Sequence, residues 1–249
     1  TRDEVIRREV RQYESAWFDS DRVRLSRDRI DRLGFFESVT VDTPAVPSAP
    51  DQVDVNVTVK ERDTGNIQLG AGYSSAEGLV LSAGISQQNL FGSGNALSLE
   101  LNTSKANRVI ALAHTDPYVT TEGISRSVEI FYRNSDLAEL GLASVGYSTQ
   151  GAALTYGVPF TEFDRVFFGL RYEDTTIELT PFSPLRYVEY VQQFGETSDA
   201  LALTIGWSRD DRDNLLVPTR GRYQRAFAEV GLPGLDIQYY RLTYQIQQY

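Results

Sequence analysis

The chain has a single histidine, His114, and no cysteine, which removes most of the side-chain chemistry open to a catalyst. No triad using a second imidazole and no two-histidine metal site can be assembled, and neither a disulfide framework nor a thiolate nucleophile exists. His114 stands alone near the end of a strand candidate and reads as a structural residue. Asp210, Asp211 and Asp213 resemble calcium-loop ligands, but the glycine and closing glutamate of such a loop are missing, so a solvated turn accounts for them. Gly70-Ala71-Gly72 and Gly92-Ser93-Gly94 are short and open no helix, so neither cradles a phosphate. Asn56-Val57-Thr58 and Asn102-Thr103-Ser104 match the glycan-acceptor pattern but fall inside strand candidates. Nothing supports an enzyme, and no cofactor is implied. What remains is backbone chemistry. Gly65, Gly70 and Gly72 thin a single strand candidate, each at a cost of roughly 0.5–1 kcal/mol relative to alanine. Such a strand can open and lend its N–H and C=O groups to another chain, or its glycines can make room for a loop.

From Gly65 onward the chain repeats one pattern about ten times: roughly nine residues alternating in and out, then a polar break. No stretch has the roughly 18 apolar residues of a membrane helix. Yet one side of nearly every strand candidate is apolar. Ile67, Leu69, Ala71 and Tyr73 are followed by Leu79, Leu81, Ala83 and Ile85, then by Leu97, Leu99 and Leu101. Val128, Ile130 and Tyr132 come next, then Val166, Phe168, Leu170 and Tyr172. Leu201, Leu203, Ile205 and Trp207 precede Tyr240, Leu242, Tyr244 and Ile246. Weaker strands fall near 108–115, 145–158 and 222–230. The opposite side carries residues such as Gln68, Glu100, Glu129, Arg133 and Arg171. Without apolar helices, a chain spans lipid only by closing strands into a barrel that pairs every backbone group. A net charge of −10 and mean hydropathy of −0.32 suit a barrel as well as a soluble acidic protein, because half of each strand faces a polar lumen. Fourteen tyrosines fit the headgroup belts of a barrel, although aromatics also favour strands in general. Alternation alone also fits a soluble sandwich. The breaks near 87–94, 115–123, 159–164 and 209–220 should share one end. Those near 75–78, 104–107, 134–144 and 174–198 should share the other, and the longest of these point outward. Lys60 and Lys105 are the only lysines, and no basic stripe invites nucleic acid.

Residues 1–63 read as a separate α+β unit. Thr1 with Glu4 makes a capping-box pattern, and Val5, Ile6, Val10 and Tyr13 share a helical face. Asp19 or Ser20 caps a second helix with Val23, Ile30 and Leu33 inward, stopped at Gly34. A strand is expected over Glu37–Thr43, a loop over Pro44–Pro50, and a strand in which Val53, Val55, Val57 and Val59 alternate with polar residues. Residues 64–249 then form the barrel portion. Nothing at Thr1-Arg2-Asp3-Glu4 reads as a signal peptide, so an internal segment of a longer precursor is expected.

Several runs resemble the BamA family of outer-membrane barrel assembly proteins. Arg7 to Gln12, Ala16-Trp17, Arg32 to Phe36, Pro50 to Val55 and Val59 to Arg62 resemble the last POTRA domain of that family. Gly70 to Tyr73, Asn89 to Gly94, Asp116-Pro117-Tyr118 and Pro218 to Gly221 resemble the start of its barrel. The resemblance implies a mainly β fold: a small α+β POTRA domain lacking its first strand, then about ten of an expected sixteen strands of an antiparallel transmembrane barrel. Tyr249 is expected to end an interior strand, since Thr243, Gln245 and Gln247 hold the positions in phase with it. It further implies an outer-membrane location with the POTRA domain in the periplasm, and a role in folding and inserting client barrel proteins. A seam strand comprising Asn66, Ile67, Gln68, Leu69, Gly70, Ala71, Gly72, Tyr73 and Ser74 would pair with the client, with Ile67, Leu69 and Tyr73 facing lipid. Arg11 and Glu14 would contact a lipoprotein subunit of the BamD type. A related transporter exporting a polypeptide through its lumen is the alternative, and a diffusion pore and a soluble sandwich are weaker competitors.

Overall fold

In the computed structural model, which describes residues 1–75, 77–139, 141, 144–213 and 218–249, Asp19 caps the longer helix of the N-terminal unit. Its carboxylate accepts from the amides of Asp21 and Arg22 at 2.9 and 3.3 Å, which are otherwise unsatisfied at a helix start. This helix, α2 (Ser20–Arg32), follows a short α1 (Asp3–Arg7) and ends before Gly34 at φ +71°. The strands β1 (Phe36–Asp42) and β4 (Asn56–Glu61) pair antiparallel, with β2 (Ala45–Val46) and β3 (Ala49–Val53) forming a hairpin between them. Val5, Ile30, Phe35 and Phe36 are the buried centre, ringed by Ile6, Val10, Leu33, Val39, Val57 and Val59.

Three expectations for this unit need correction. The capping box does not form: the residue preceding α1 is Arg2, no side chain caps it, and the Thr1 hydroxyl instead accepts from Asn89 at 2.8 Å. The first helix stops at Arg7 and does not carry Tyr13 inward. Side-chain bonds impose a turn there: Ser26 accepts from the Arg11 amide at 2.7 Å, and buried Gln12 bridges Trp17 O and Asp19 N. The stretch Pro44–Pro50 is not loop throughout, because β2 and β3 divide the valine run, leaving Val53 on one strand and Val57 and Val59 on another.

The remaining strands are β5 (Gly65–Ser74), β6 (Gly78–Gln87), β7 (Ala96–Thr103), β8 (Asn107–Asp116), β9 (Ser125–Asp136) and β10 (Val145–Pro159). They continue with β11 (Asp164–Leu179), β12 (Thr197–Asp210), β13 (Arg222–Gly231) and β14 (Tyr240–Gln248). All ten form one antiparallel sheet in strict sequence order, with β5 and β14 at its edges. Register decides the phase of the wall. Ile67, Ile85, Leu99, Leu112, Ile130, Ala152, Tyr172 and Leu201 stand side by side across it. One residue along, on the opposite face, lie Gln68, Gly84, Glu100, Ala111, Phe131, Gly151, Glu173 and Ala200. The apolar face is uncovered: Leu69 is 81% and Leu203 50% exposed. A sandwich would lay a second layer over this face, and the described residues place none there. No described helix is long and apolar enough to cross a membrane, which says nothing about strands.

The polar face holds bulky groups in notches made by glycine. Phe131 is buried beneath the guanidinium of Arg133, 4.2 Å from its ring centre. A Cβ on facing Gly151 would lie 2.3 Å from the Tyr172 carbonyl and 2.9 Å from the Phe131 ring. This explains why the sixth barrel strand is glycine-rich and weakly patterned in sequence. The expected break over 174–198 is largely ordered structure: β11 runs to Leu179, α3 (Leu185–Phe194) follows, and β12 begins at Thr197. Tyr187 of α3 packs edge-on against Tyr147, with ring centres 6.3 Å apart. The break at 209–220 is a continued hairpin, with Asp211 N bonded to Arg222 O and Asp213 N to Arg220 O; residues 214–217 lie outside the described ones. The aspartates there are engaged locally, Asp210 with Arg212 and Asp213 with Thr219. His114 sits on the outward face between Leu97 and Val128.

Candidate functional site

The strand β5 pairs only with β6, from Gly65 opposite Gln87 to Ser74 opposite Gly78. Just ahead of it, Gln88 N donates to Thr64 O at 3.2 Å. In an antiparallel ladder the residues that exchange bonds alternate with those that do not. The even-numbered positions of β5 therefore bond to β6. The N–H and C=O groups of Gly65, Ile67, Leu69, Ala71 and Tyr73 point to the open edge, along which no described strand lies. These residues also carry outward side chains: Ile67 is 70%, Leu69 81% and Tyr73 83% exposed.

Among the described residues, no atom lies within 4 Å of where a Cβ on Gly72 would stand, and at Gly70 only the movable Ser82 side chain is close, so neither glycine makes room for a described loop. Neither has a positive φ. Their effect is to weaken the strand, since glycine adds backbone entropy to the unpaired state and removes cross-strand contacts.

The N-terminal unit docks against the turns at one end of the sheet, as the grouping of breaks predicts. Arg2 N donates to Gly92 O at 2.8 Å in the β6–β7 turn. Gly94, at φ +77°, lets Arg8 close in, because a Cβ there would stand 2.3 Å from the guanidinium. Arg8 lies over the ring of Tyr118 in the β8–β9 turn, at 4.1 Å. The Tyr118 hydroxyl donates to buried Glu9 at 2.7 Å, and Arg29 donates to Glu9 at 2.7 and 3.0 Å. Arg29 also pairs with Glu162 in the β10–β11 turn, and Arg11 donates to the same carboxylate at 3.0 Å. Two barrel turns are thus held by one ionic cluster, and the β6–β7 turn by the backbone bond from Arg2. Burial works against the charge on Arg29, but Glu9 and Glu162 outweigh it and raise its pKa. Burial, then the bond to Glu9, raises that of Tyr118.

The nine seam positions, Asn66 through Ser74, all fall on β5, where the sequence reading puts them. The partner-contact pair separates. Glu14 is exposed, its side chain 91% accessible and 3.3 Å from Arg7. Arg11 is not a free surface group, since its side chain is 25% accessible and is committed to Glu162. The joint residues Glu9, Arg29, Tyr118 and Glu162 escaped the sequence reading. The one local signal was a glutamate one helical turn beyond buried Val5.

Burial pushes the Glu162 carboxyl up, but the bond from Arg11 and the charge of Arg29 overturn that and leave it below the ordinary range. A depressed carboxyl stabilises its contact fully above the ordinary pKa of about 4.3, and this is lost as pH falls through the depressed value. Acidification below about pH 4 should therefore loosen the joint. Spin labels at Arg24 and Glu122 should show a broadened distance distribution there, and Glu162→Gln should show it already at pH 7, with little further response to acid.

A sequence model described as the Omp85 superfamily domain matches residues 89–249, and one for the POTRA, described as the surface antigen variable number repeat, matches residues 1–62. The outer membrane protein assembly factor BamA of Neisseria meningitidis serogroup B is 38% identical over 98% of this chain and 32% of its own length. The protein of the same name from Nitratidesulfovibrio vulgaris is 28% identical, over 93% of this chain and 28% of its own. The chain therefore spans about a third of the length of these relatives. The crystal structure of BamA from Haemophilus ducreyi lacking POTRA domains 1–3 superposes with a TM-score of 0.72 at 32% identity, over 99% of this chain and 48% of that one. CdiB from Acinetobacter baumannii shares the fold at a TM-score of 0.59 and 13% identity, over 96% of this chain and 44% of that one. With a POTRA match ahead of a barrel match that takes in most of its strands, the chain belongs to the Omp85 superfamily.

Proposed function

We propose that this chain supplies a POTRA unit, residues 1–63, and the barrel portion, residues 64–249, of an outer-membrane assembly factor whose β5 templates a client's strand at a lateral seam. The chain resides in the outer membrane, with the POTRA unit on the periplasmic side. The observation that carries the seam reading is the glycine-thinned edge of β5: five N–H and five C=O groups point outward from a strand holding Gly65, Gly70 and Gly72, whereas the other edge, β14, has no glycine. Groups left unpaired in lipid cost several kcal/mol each, so an incoming strand gains by covering them. The work is non-enzymatic and is driven by strand pairing and lipid burial. Partners are client barrel proteins and lipoprotein subunits of an assembly complex. Among the latter, a BamD-type subunit would meet Glu14 on the exposed turn, with Arg11 held back behind it.

Export of a polypeptide through the lumen is the second reading. It fits less well with a polar face crowded by Phe131, Arg171, Phe227 and Arg225. Residues 1–249 hold no cysteine, so single cysteines at Ile67, Leu69 or Ala71 can be cross-linked to a stalled client without background from this part of the protein. Assembly at β5 requires adducts at these positions and few from Ser98 or Thr204 on the polar face. Adducts confined to the polar face would support export instead.

A further inference from the structure

Two guanidiniums, those of Arg11 and Arg29, meet two carboxylates, Glu9 and Glu162, where the POTRA unit joins the barrel turns, and a third, that of Arg8, lies over Tyr118 beside them. The two acids are unequal. The Glu9 side chain is 6% accessible and carries three hydrogen bonds, whereas Glu162 is 39% accessible and stands at the tip of a turn. That turn reads Phe160-Thr161-Glu162-Phe163, an acid flanked by aromatics, with Phe160 81% exposed. It borders a cleft of about 780 Å³ whose walls include Tyr13, Phe163, Phe167 and Tyr223. Of the other acids of the cleft, Asp164 is engaged with Arg209 and Trp207 and Asp210 with Arg212, while Glu122 lies exposed on its wall and reaches neither Arg11 nor Arg29. Arg8 adds positive charge, and among the described residues its Nε and Nη2 find no acceptor.

We infer that Arg11 and Arg29 form a receptor for the carboxylate of an acidic, aromatic-bearing peptide segment, and that Glu162 is the built-in occupant such a segment displaces. Two guanidiniums converging on one carboxylate make charge-assisted bonds stronger than neutral ones. The cis occupant is the more exposed of the two acids, so it exchanges without disturbing Glu9. Phe167 and Tyr223 belong to the polar face of the sheet, so the cleft opens away from the lipid side and suits polypeptide over lipid. The site is separate from the β5 edge and does not depend on the client reading.

The test uses the full-length protein in detergent, with barrel integrity checked by heat-modifiable gel mobility. The probe is a fluorescein-labelled Gly-Phe-Thr-Glu-Phe-Gly peptide followed by anisotropy, beside its glutamine counterpart. Removing the competitor in Glu162→Ala should tighten binding of the acidic peptide about tenfold, a gain that a merely structural glutamate would not give. Arg11→Gln and Arg29→Gln should each weaken it about tenfold, and the glutamine peptide should bind little. Unchanged or weaker binding in Glu162→Ala, equal binding of the two peptides, or displacement by inorganic phosphate at the peptide's own concentration would each overturn the inference. Leu69→Pro should leave peptide binding intact, which separates this site from the seam.

Discussion

Insertion of client barrels into proteoliposomes is expected to fall at least about tenfold when Leu69 is replaced by proline, while the barrel itself stays folded. The reasoning is geometric. Leu69 opposes Ala83 in a pair that exchanges no bonds, so its N–H points away from β6 and its loss leaves the β5–β6 ladder whole. Proline is tolerated on an edge strand when the missing N–H faces outward. An added strand, by contrast, loses a donor and meets the pyrrolidine ring in the middle of its path. One lost hydrogen bond is worth about 1 kcal/mol net, and the clash adds to it, so a tenfold drop, or about 1.4 kcal/mol, is a lower bound. Two controls make the result specific. Gln68→Pro removes an inward N–H, leaves its β6 acceptor unpaired and should destabilise the barrel itself by about 1–3 kcal/mol. Leu69→Ala keeps the backbone and should insert nearly as well as the parent, because templating runs through main-chain groups. Wild-type insertion by Leu69→Pro would end the proposal that β5 accepts a client strand.

Much of the wall was legible because its signal is periodic and local. Leu97, Leu99 and Leu101 declare a face by their spacing, and the register sets them beside Ile85 and Leu112 as that spacing requires. Where the reading faltered, the determining contact was remote in sequence. Val145–Pro159 looked patternless because Gly151 is shaped by Phe131, a residue on the neighbouring strand. The stretch 174–179 looked like loop because its length exceeds the roughly 9–11 residues a barrel strand needs to span lipid. Its pairing with 145–150 carries the strand past that limit. The turn after α1 was misread as helix because a helical face of Val5, Ile6 and Val10 says nothing of Gln12, whose amide holds the next turn in place. The β5 edge was visible as a run of glycines, but composition could not choose between a weak edge and room for a loop. The open space beside Gly72 favours the former.

The joint between the POTRA unit and the barrel was the least legible feature, and Glu9→Ala should produce the largest loss of stability there. Glu9 is 4% exposed and accepts from Arg29 twice and from Tyr118 once. An exposed ion pair is worth about 0–1 kcal/mol, and on that view the substitution would hardly matter. A buried pair behaves differently: removing one partner strands the other in a medium that solvates it poorly, at a cost of about 3–5 kcal/mol. Glu162 still touches Arg29 in the variant, which places the expected loss at the lower end, about 3 kcal/mol, or more than a hundredfold in the docking equilibrium. The Tyr118 hydroxyl is stranded at the same time, so Tyr118→Phe alone should cost about 1.5–3 kcal/mol, and the two substitutions should be strongly non-additive. Spin-label distances between Arg24 and Glu122, followed through a urea series in the full-length protein, give the docked fraction for each variant. A change in Glu9→Ala no larger than that of the exposed pair Arg7–Glu14 would mean that the turns, not the cluster, hold the unit in place.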